Sequence, residues 1–272
     1  MASSMTLNDG MELPSIGFGL YKVPADQTFD VVTSGIEAGY QLIDGGAFYG
    51  NERELGEAVR ESGRRDELLV ASKFWGDPVQ TYDQVLADFD QTERDLGIGP
   101  VDFYLIHWPR PTRNQFVDVW RAFIRLQEEG RVRSIGVANF GAAELGRLMD
   151  ETGVTPALNQ VESHPWLPQH ELRAFHAEHD IVTQAWSPLG RGRLLDEPTL
   201  ISIADRHAVS VAQVVLRWHI QIGGAAVPKS VHIQRLRENR DVDRFHLDEE
   251  DMARIGALES GVRTGSSPAD KQ

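Results

Sequence analysis

The sequence contains no cysteine, and this absence excludes disulfide bonds, thiol nucleophiles and thiolate-bound metal ions. Its apolar runs fall short of the ~20 residues needed to cross a bilayer. No basic segment followed by an apolar one opens the chain, so the sequence indicates no secretion signal. We therefore expect a cytoplasmic protein that binds no membrane and no metal.

Positive charge is scarce in this chain. Lys and Arg together number 27, against 41 Asp and Glu, which gives a formal net charge of -14. A nucleic-acid surface needs clustered cations, and no segment supplies them. We therefore expect no nucleic-acid partner. Only four of the basic residues are lysines, namely Lys22, Lys73, Lys229 and Lys271.

The common phosphate-binding loops are also missing. The stretch GFGLYK (17–22) lacks the third glycine of the GxGxxG fingerprint, which follows the first strand of a doubly wound dinucleotide-binding sheet. No GxxxxGK[ST] loop occurs either. A doubly wound sheet is therefore the less favoured of two α/β architectures.

Eight short apolar segments alternate with stretches of helical spacing. This alternation, in a chain of 272 residues without an internal linker, predicts a (β/α)8 TIM barrel. We expect one domain over residues 5–262 and a flexible C-terminal tail over 263–272. The predicted strands are IGFG (16–19), QLID (41–44), ELLVASKF (67–74), VDFYLI (101–106), VRSIGV (132–137), ALNQV (157–161), IVTQAW (181–186) and AAVP (225–228).

An initial TLNDGMELP (6–14) lies outside the eight repeats. Its Asn-Asp-Gly turn between short extended halves predicts a β-hairpin. We expect this hairpin to cap the floor of the barrel. The absence of an obvious exposed apolar stripe favours a monomer.

Four titratable side chains lie where predicted strands end. Asp44 ends the second strand and Tyr49 lies on the loop after it; Lys73 lies near the end of the third strand, and His107 follows the fourth. Barrel enzymes carry their chemistry at the face where the strand C-termini open. We therefore expect the four side chains to converge.

Together these four residues make an acid site. An aspartate that ends a buried strand needs a cationic partner, because an unpaired buried carboxylate is costly. We expect Lys73 to be that partner, and its ammonium to lower the pKa of the Tyr49 phenol from about 10. His107 Nε2 would steer a carbonyl oxygen toward the Tyr49 hydroxyl, which would protonate an alkoxide as it forms.

Seven motifs carry a resemblance to a known family. They are IDxxxxYGNE, SKFW, LIHWP, GVANF, NQVE, WSPLG and VPKS, spread over essentially the whole chain. In this order they resemble the aldo-keto reductases, and the chain is most similar to the short bacterial 2,5-diketo-D-gluconate reductases. The resemblance implies an NADPH-dependent carbonyl reductase with the tetrad Asp44, Tyr49, Lys73 and His107, in which Tyr49 donates the proton.

The same resemblance implies where the nicotinamide end of NADPH binds. Asn139 and Gln160 would hold the carboxamide, and the Trp186 ring would stack under the nicotinamide. The pyrophosphate would be covered by a loop that includes Ser187, Leu189 and Gly190.

The adenosine end of the cofactor is implied at VPKS and the helix after it. Lys229, Ser230 and Arg235 would bind the 2′-phosphate, with Glu238 and Asn239 near adenine. A Lys and an Arg at the entry to a helix also form an anion site on general grounds, because the helix N-terminus is partly positive.

The sequence departs from the family pattern at Gly45, Gly46 and Ala138. Glycines replace the usual Thr-Ala after the aspartate, which should loosen the backbone there. Alanine replaces the usual serine of GVSNF, which deletes a hydroxyl near the carboxamide.

Aromatic residues beside the tetrad indicate a substrate mouth. Trp75 lies two positions after Lys73, and Trp108 directly follows His107. Tyr21 follows the first predicted strand. With His107 they are expected to contact a small aldehyde or ketone, keto sugar acids included. Arg110 or Arg113 could attract a carboxylated sugar.

Two other functions stay open at this stage. A Schiff-base lyase or aldolase would use Lys73 to attack a carbonyl directly. A nicotinamide-binding sensor or regulatory subunit of the same fold would have negligible turnover.

Overall fold

The computed structural model describes residues 3–271, within which the chain forms ten strands and ten α-helices. Strands β1 to β10 are Ser4–Thr6, Glu12–Pro14, Phe18–Gly19, Leu42–Asp44, Leu69–Phe74, Val101–Ile106, Val132–Ala138, Leu158–Glu162, Val182–Trp186 and Ala225–Val227. Helices α1 to α10 are Ala25–Glu37, Glu52–Glu61, Tyr82–Leu96, Phe116–Glu128, Ala142–Thr152, His170–Glu178, Pro198–His207, Val211–Gln221, Ile233–Arg240 and Glu249–Gly256.

Strands β3 to β10 form one parallel sheet in which neighbours follow chain order. The first and last strands meet through a parallel bridge between Ile16 and Ala226. Gly17 N donates to Ala226 O at 3.0 Å, and Ala226 N donates to Ser15 O at 2.8 Å. These bonds close the sheet, so the predicted (β/α)8 barrel is confirmed and the doubly wound sheet is excluded.

Side chains alternate along each strand between the barrel interior and the helices. On β6, Phe103 and Leu105 belong to the inner apolar cluster, whereas Tyr104 and Ile106 pack with the helices. The alternation follows from the two-residue period of a strand. It also decides which residues at the strand ends point into the barrel mouth.

Helix α3 shows how the outer layer is specified by sequence. Thr81 caps its start, since its Oγ1 accepts a hydrogen bond from Gln84 N at 3.3 Å. Val85, Phe89 and Leu96 form its buried stripe. The helix ends at Gly97, whose φ of 57° is left-handed.

The predicted N-terminal hairpin is present as β1 and β2, paired antiparallel with Ser4 opposite Pro14. Leu7 and Leu13 are buried and belong to the inner barrel cluster. Asn8 Nδ2 donates to Pro156 O at 3.1 Å, just before β8 begins. The hairpin therefore closes the end of the barrel at which the strands start.

The C-terminal segment makes contacts that the expectation of a free, flexible tail did not include. Thr264 and Gly265 donate hydrogen bonds to the Glu162 carboxylate at the end of β8. Lys271 lies over two indole rings. A buried carboxylate needs donors, and the segment supplies them. Gln272 lies outside the described residues.

Candidate active site

The four predicted tetrad residues all lie at the end of the barrel where the strands finish. Asp44 is the last residue of β4, and Lys73 lies two residues beyond Ala71, the partner of Asp44 on β5. His107 follows β6, and Tyr49 ends a short 3-10 turn, Ala47–Tyr49. The interior alternation of the strands turns Asp44 and Lys73 into the barrel.

Lys73 and Asp44 form a buried ion pair. Lys73 Nζ lies 2.6 Å from Asp44 Oδ1 and 2.6 Å from Gly45 O, and Lys73 has no exposed surface. Gln160 Nε2 donates to the same Asp44 oxygen at 2.7 Å. Burial lowers the pKa of Lys73, while the Asp44 carboxylate opposes this shift. The carboxylate therefore holds the ammonium in a fixed position and partly offsets the cost of burying it.

Tyr49 lies beside this pair, within a set of rings. Lys73 Nζ is 5.0 Å from the centroid of the Tyr49 ring. The Tyr21 and His107 rings lie 5.3 Å and 6.0 Å from it, centroid to centroid.

The predicted lowering of the Tyr49 pKa by Lys73 is wrong for this structure. Burial raises the pKa of Tyr49 well above 10, and the nearby Asp44 carboxylate and Tyr21 phenol raise it further. The ammonium is already bonded to Asp44 and Gly45, so its positive field at the phenol is largely cancelled. Tyr49 is consequently a protonated phenol at neutral pH and holds a proton that it can donate.

His107 is a neutral imidazole at neutral pH. Burial lowers its pKa well below 6.5, and the positive charges of Lys73, Arg110 and Lys271 lower it further. Its Nδ1 is buried without a hydrogen-bond partner among the described residues. A neutral ring can donate from one nitrogen only, which suits it to orient a carbonyl oxygen rather than to act as a cation.

The predicted nicotinamide residues form a connected group next to the ion pair. Trp186 Nε1 donates to Asn139 Oδ1 at 2.9 Å, and Asn139 Nδ2 donates to His107 O at 2.9 Å. Gln160 Nε2 also donates to Gln184 Oε1 at 2.6 Å. Asn139 thus fixes the Trp186 indole relative to His107, a connection that the sequence did not indicate.

The loop after β9, predicted to cover the pyrophosphate, contains several residues with a left-handed backbone. Ser187 and Gly190 have φ angles of 48° and 56°, and Arg191 has 56°. Leu189 lies between them, partly buried. Gly190 N and Gly192 N donate within the loop, to Ser187 O and Leu189 O, each at 2.9 Å, so these hydrogen bonds fix the shape of the loop.

The predicted adenosine residues fit an anionic group. Lys229 and Ser230 follow β10, and Arg235 lies in the first turn of α9. Lys229 and Arg235 are exposed, and neither forms an ion pair with a carboxylate within residues 3–271. Two uncompensated cations beside a helix N-terminus suit a 2′-phosphate. Farther along α9, Glu238 is exposed and Asn239 is buried.

The mouth above the tetrad is lined by aromatic rings. Trp75 and Trp108 lie 5.1 Å and 6.1 Å from the His107 ring, centroid to centroid. Tyr21 is 41% exposed. Phe48, which we did not predict, is 50% exposed and stacks on Trp75 at 3.9 Å. The sequence could have indicated Phe48 as a mouth residue, because it directly precedes Tyr49.

Two of the three departures from the family pattern lie in tight surroundings. A Cβ at Gly46 would lie 3.3 Å from Tyr49 Cζ, and one at Gly45 would lie 3.0 Å from Ala71 O. Gly45 also supplies the carbonyl that binds Lys73. The glycines therefore let the backbone approach the ion pair closely, whereas nothing in the structure explains Ala138.

Comparisons with known proteins agree with this geometry. A sequence model of the Aldo/keto reductase family matches residues 15–260. An aldo-keto reductase of Mycolicibacterium smegmatis is 46% identical over 269 residues, which is 98% of each chain. The 2,5-diketo-D-gluconic acid reductase B of a Corynebacterium species is 45% identical over 263 residues, 95% of this chain and 94% of that one. The crystal structure of a mutant of Gox0644 in complex with NADPH superposes with a TM-score of 0.96 at 40% identity, covering 100% of this chain and 99% of that one. The chain therefore belongs to the aldo-keto reductase family of NADP-dependent oxidoreductases, as the motifs predicted.

Proposed function

We propose that the protein reduces small aldehydes and ketones to alcohols, with Tyr49 as the general acid. The observation that supports this most directly is the Lys73–Asp44 ion pair at 2.6 Å, with the Tyr49 and His107 rings beside it at one end of the barrel. The nicotinamide cofactor, when bound, supplies the hydride. The residues of this chain supply the proton and the alignment.

Each tetrad residue has a distinct task in this proposal. The neutral His107 orients the carbonyl oxygen toward the Tyr49 hydroxyl. Tyr49, a protonated phenol, transfers its proton to that oxygen as negative charge develops there. The Lys73 ammonium lies 5.0 Å from the Tyr49 ring, and the part of its charge that Asp44 does not offset stabilises the phenolate as it forms. Asp44 keeps Lys73 in place.

We assign the cofactor contacts to the residues that the sequence predicted. Trp186 offers a flat face to the nicotinamide ring, with Asn139 fixing the indole through the bond at 2.9 Å. Gln160, whose backbone carbonyl accepts a hydrogen bond from Asn139 N at 3.0 Å, would bind the carboxamide with Asn139. Lys229, Ser230 and Arg235 hold the 2′-phosphate, which makes NADPH the preferred form.

Keto sugar acids are one substrate class that we propose. The 45% identity to a 2,5-diketo-D-gluconic acid reductase B supports this class. The exposed Tyr21 and Phe48 rings support a mouth open to small polar carbonyl compounds.

We also propose that the enzyme works as a cytoplasmic monomer. Within residues 3–271 no single helix is long and apolar enough to span a bilayer. Helices α7 and α8 reach that length and apolar composition only when taken together, and they are bent by 89° relative to each other.

The geometry of Lys73 disfavours a Schiff-base mechanism. Its Nζ donates to both Asp44 and Gly45 and has no exposed surface, so attack on a carbonyl would require breaking these bonds. Treatment with borohydride in the presence of an aldehyde should leave Lys73 unmodified. A covalent adduct on Lys73 would favour the lyase.

A panel of carbonyl compounds tests the proposed reduction. We expect loss of NADPH absorbance with small aldehydes, α-dicarbonyl compounds and keto sugar acids, and formation of the matching alcohols. NADH should support a lower rate at equal concentration. Binding of NADPH without turnover of any member of the panel would instead favour the sensor function.

A further inference from the structure

The C-terminal segment crosses the barrel mouth and is anchored there by Glu162. Glu162 Oε1 accepts hydrogen bonds from Thr264 N at 2.5 Å, Thr264 Oγ1 at 2.7 Å and Gly265 N at 3.0 Å. Gly265 also touches the Trp186 ring, since a Cβ there would lie 2.3 Å from it. The segment is therefore fixed above the strand ends by a fully buried carboxylate.

Lys271, six positions after Gly265, lies over the Trp75 and Trp108 rings. Lys271 Nζ lies 5.8 Å from the Trp75 ring centroid and 6.0 Å from the Trp108 ring centroid. Both distances are within the range of cation–π attraction. The charge of Lys271 also reaches His107, whose pKa it helps to lower. The ammonium consequently faces the region that a substrate must occupy.

The two arginines nearest the aromatic rings and the tetrad lysine are already paired with carboxylates. Arg110 and Arg113 bind Asp77 at 2.9 Å and 3.1 Å, so the attraction of a carboxylated sugar by these arginines is not supported. Lys73 is bound to Asp44. Lys271 has no carboxylate partner in the part of the chain that the structure describes. Among residues 3–271 it is therefore an uncompensated positive charge beside Trp75 and Trp108, as Lys22 is beside Tyr21.

We propose that Lys271 binds a carboxylate on the substrate and gives the site a preference for anionic carbonyl compounds. The inference rests on the proposed reductase function and assigns one of its specificity residues. A protein with a net charge of -14 repels anions at long range, so selection of an anionic substrate requires a local cation. The two indole rings exclude water on one side of the ammonium and thus strengthen its attraction for a carboxylate.

A matched pair of substrates tests this proposal. The probes are 4-carboxybenzaldehyde and its uncharged counterpart 4-formylbenzamide, which have nearly the same shape. We expect Lys271→Met to raise KM for the carboxylate about 2- to 5-fold, in keeping with a partly exposed ion pair, and to leave kcat and the KM for the amide nearly unchanged. Lys271→Arg should retain the preference, and added salt should weaken it in the unmodified protein.

Other outcomes would overturn the proposal. Equal changes for both probes would mean that the tail only shapes or obstructs the mouth, and no change for either would remove Lys271 from recognition. Arg121→Met, which removes an exposed charge from α4, is the control for a general charge effect. Quenching of tryptophan fluorescence by 4-(hydroxymethyl)benzoate measures anion binding without turnover. If neither aldehyde is reduced, the reductase function fails while this titration still decides the role of Lys271.

Discussion

Single residues set the protonation states at this site through burial more than through charge pairing. Asp44 offsets part of the Lys73 charge at 2.6 Å, and burial, followed by Asp44 and Tyr21, raises the pKa of Tyr49. The same burial keeps His107 neutral. A phenol of high pKa is a weak acid in the resting site, so its proton should move only when negative charge develops on the carbonyl oxygen.

Removal of the Tyr49 hydroxyl should separate catalysis from cofactor binding. We expect Tyr49→Phe to reduce carbonyl turnover by at least ~100-fold, the size of a typical general-acid contribution, because phenylalanine has no proton to donate at this position. NADPH binding, followed by fluorescence titration, should be nearly unchanged. Tyr82→Phe at the start of α3 is the control. Turnover close to that of the unmodified protein would remove Tyr49 from the chemistry.

Arg235 should set the preference between the two nicotinamide cofactors. It is exposed and without a carboxylate partner among the described residues, so we expect it to meet the 2′-phosphate that only NADPH carries. Arg235→Ala should weaken NADPH binding by about 10-fold or more, the range of a charge-assisted hydrogen bond, with little effect on NADH. Arg237 lies two positions farther along α9 and on another side of the helix, so Arg237→Ala is the matched control. Equal losses for both cofactors would argue against the 2′-phosphate role.

At the scale of elements, the strands could be predicted because each buried strand is a local run of apolar residues in the sequence. The segment VDFYLI matches β6 at both ends. The first strand was predicted too long, since Ile16 makes only a bridge to Ala226 and its pairing depends on the last strand of the barrel. Local apolar pattern predicts that a strand exists, but its ends depend on neighbours that are distant in sequence.

The part of the site that the sequence did not reveal depends on such distant contacts. Glu162 and Thr264 are 102 positions apart, and neither lies in a recognised motif that pairs them. The contacts of Lys271 with Trp75 and Trp108 join positions that are even farther apart in the sequence. By contrast, Asp44 and Lys73 could be paired in advance, because neighbouring parallel strands bring their C-terminal ends together.

The hairpin should contribute to stability and leave the site unaffected. Leu13 has no exposed surface and packs in the inner cluster at the floor of the barrel. Leu13→Ala should lower the free energy of unfolding by about 2–5 kcal/mol, as expected for a cavity in a core. Urea denaturation measures this change, and Ile201→Ala, at a position 40% exposed, is the control. A loss no larger than that of the control would show that the hairpin does not seal the barrel floor.

At the scale of the whole molecule, buried histidines link stability to pH. Burial lowers the pKa of His219 to about 3. Burial, with the nearby Arg173 and His179, lowers that of His176 to about 4. The environment of His176 explains its neutrality, since Asn159 Nδ2 lies 3.0 Å from its Nε2 and Thr183 Oγ1 lies 2.8 Å from its Nδ1. Nε2 accepts from the amide, so a second proton there would face another donor.

Protonation of His176 should therefore make the free energy of unfolding depend on pH. Its pKa is about 4 in the folded protein and 6.5 when unperturbed, so the unfolded chain binds more protons between these values. Stability from this group is complete above about pH 6.5 and declines as pH falls toward 4, by about 3 kcal/mol in total. The free energy of unfolding, measured in urea at several pH values, should fall by this amount relative to His176→Gln, because that comparison cancels the carboxyl groups. His246→Gln, at the surface, is the control. A constant difference between the unmodified protein and His176→Gln from neutral to acid pH would contradict the assignment, since a histidine with the same pKa in both states adds no slope.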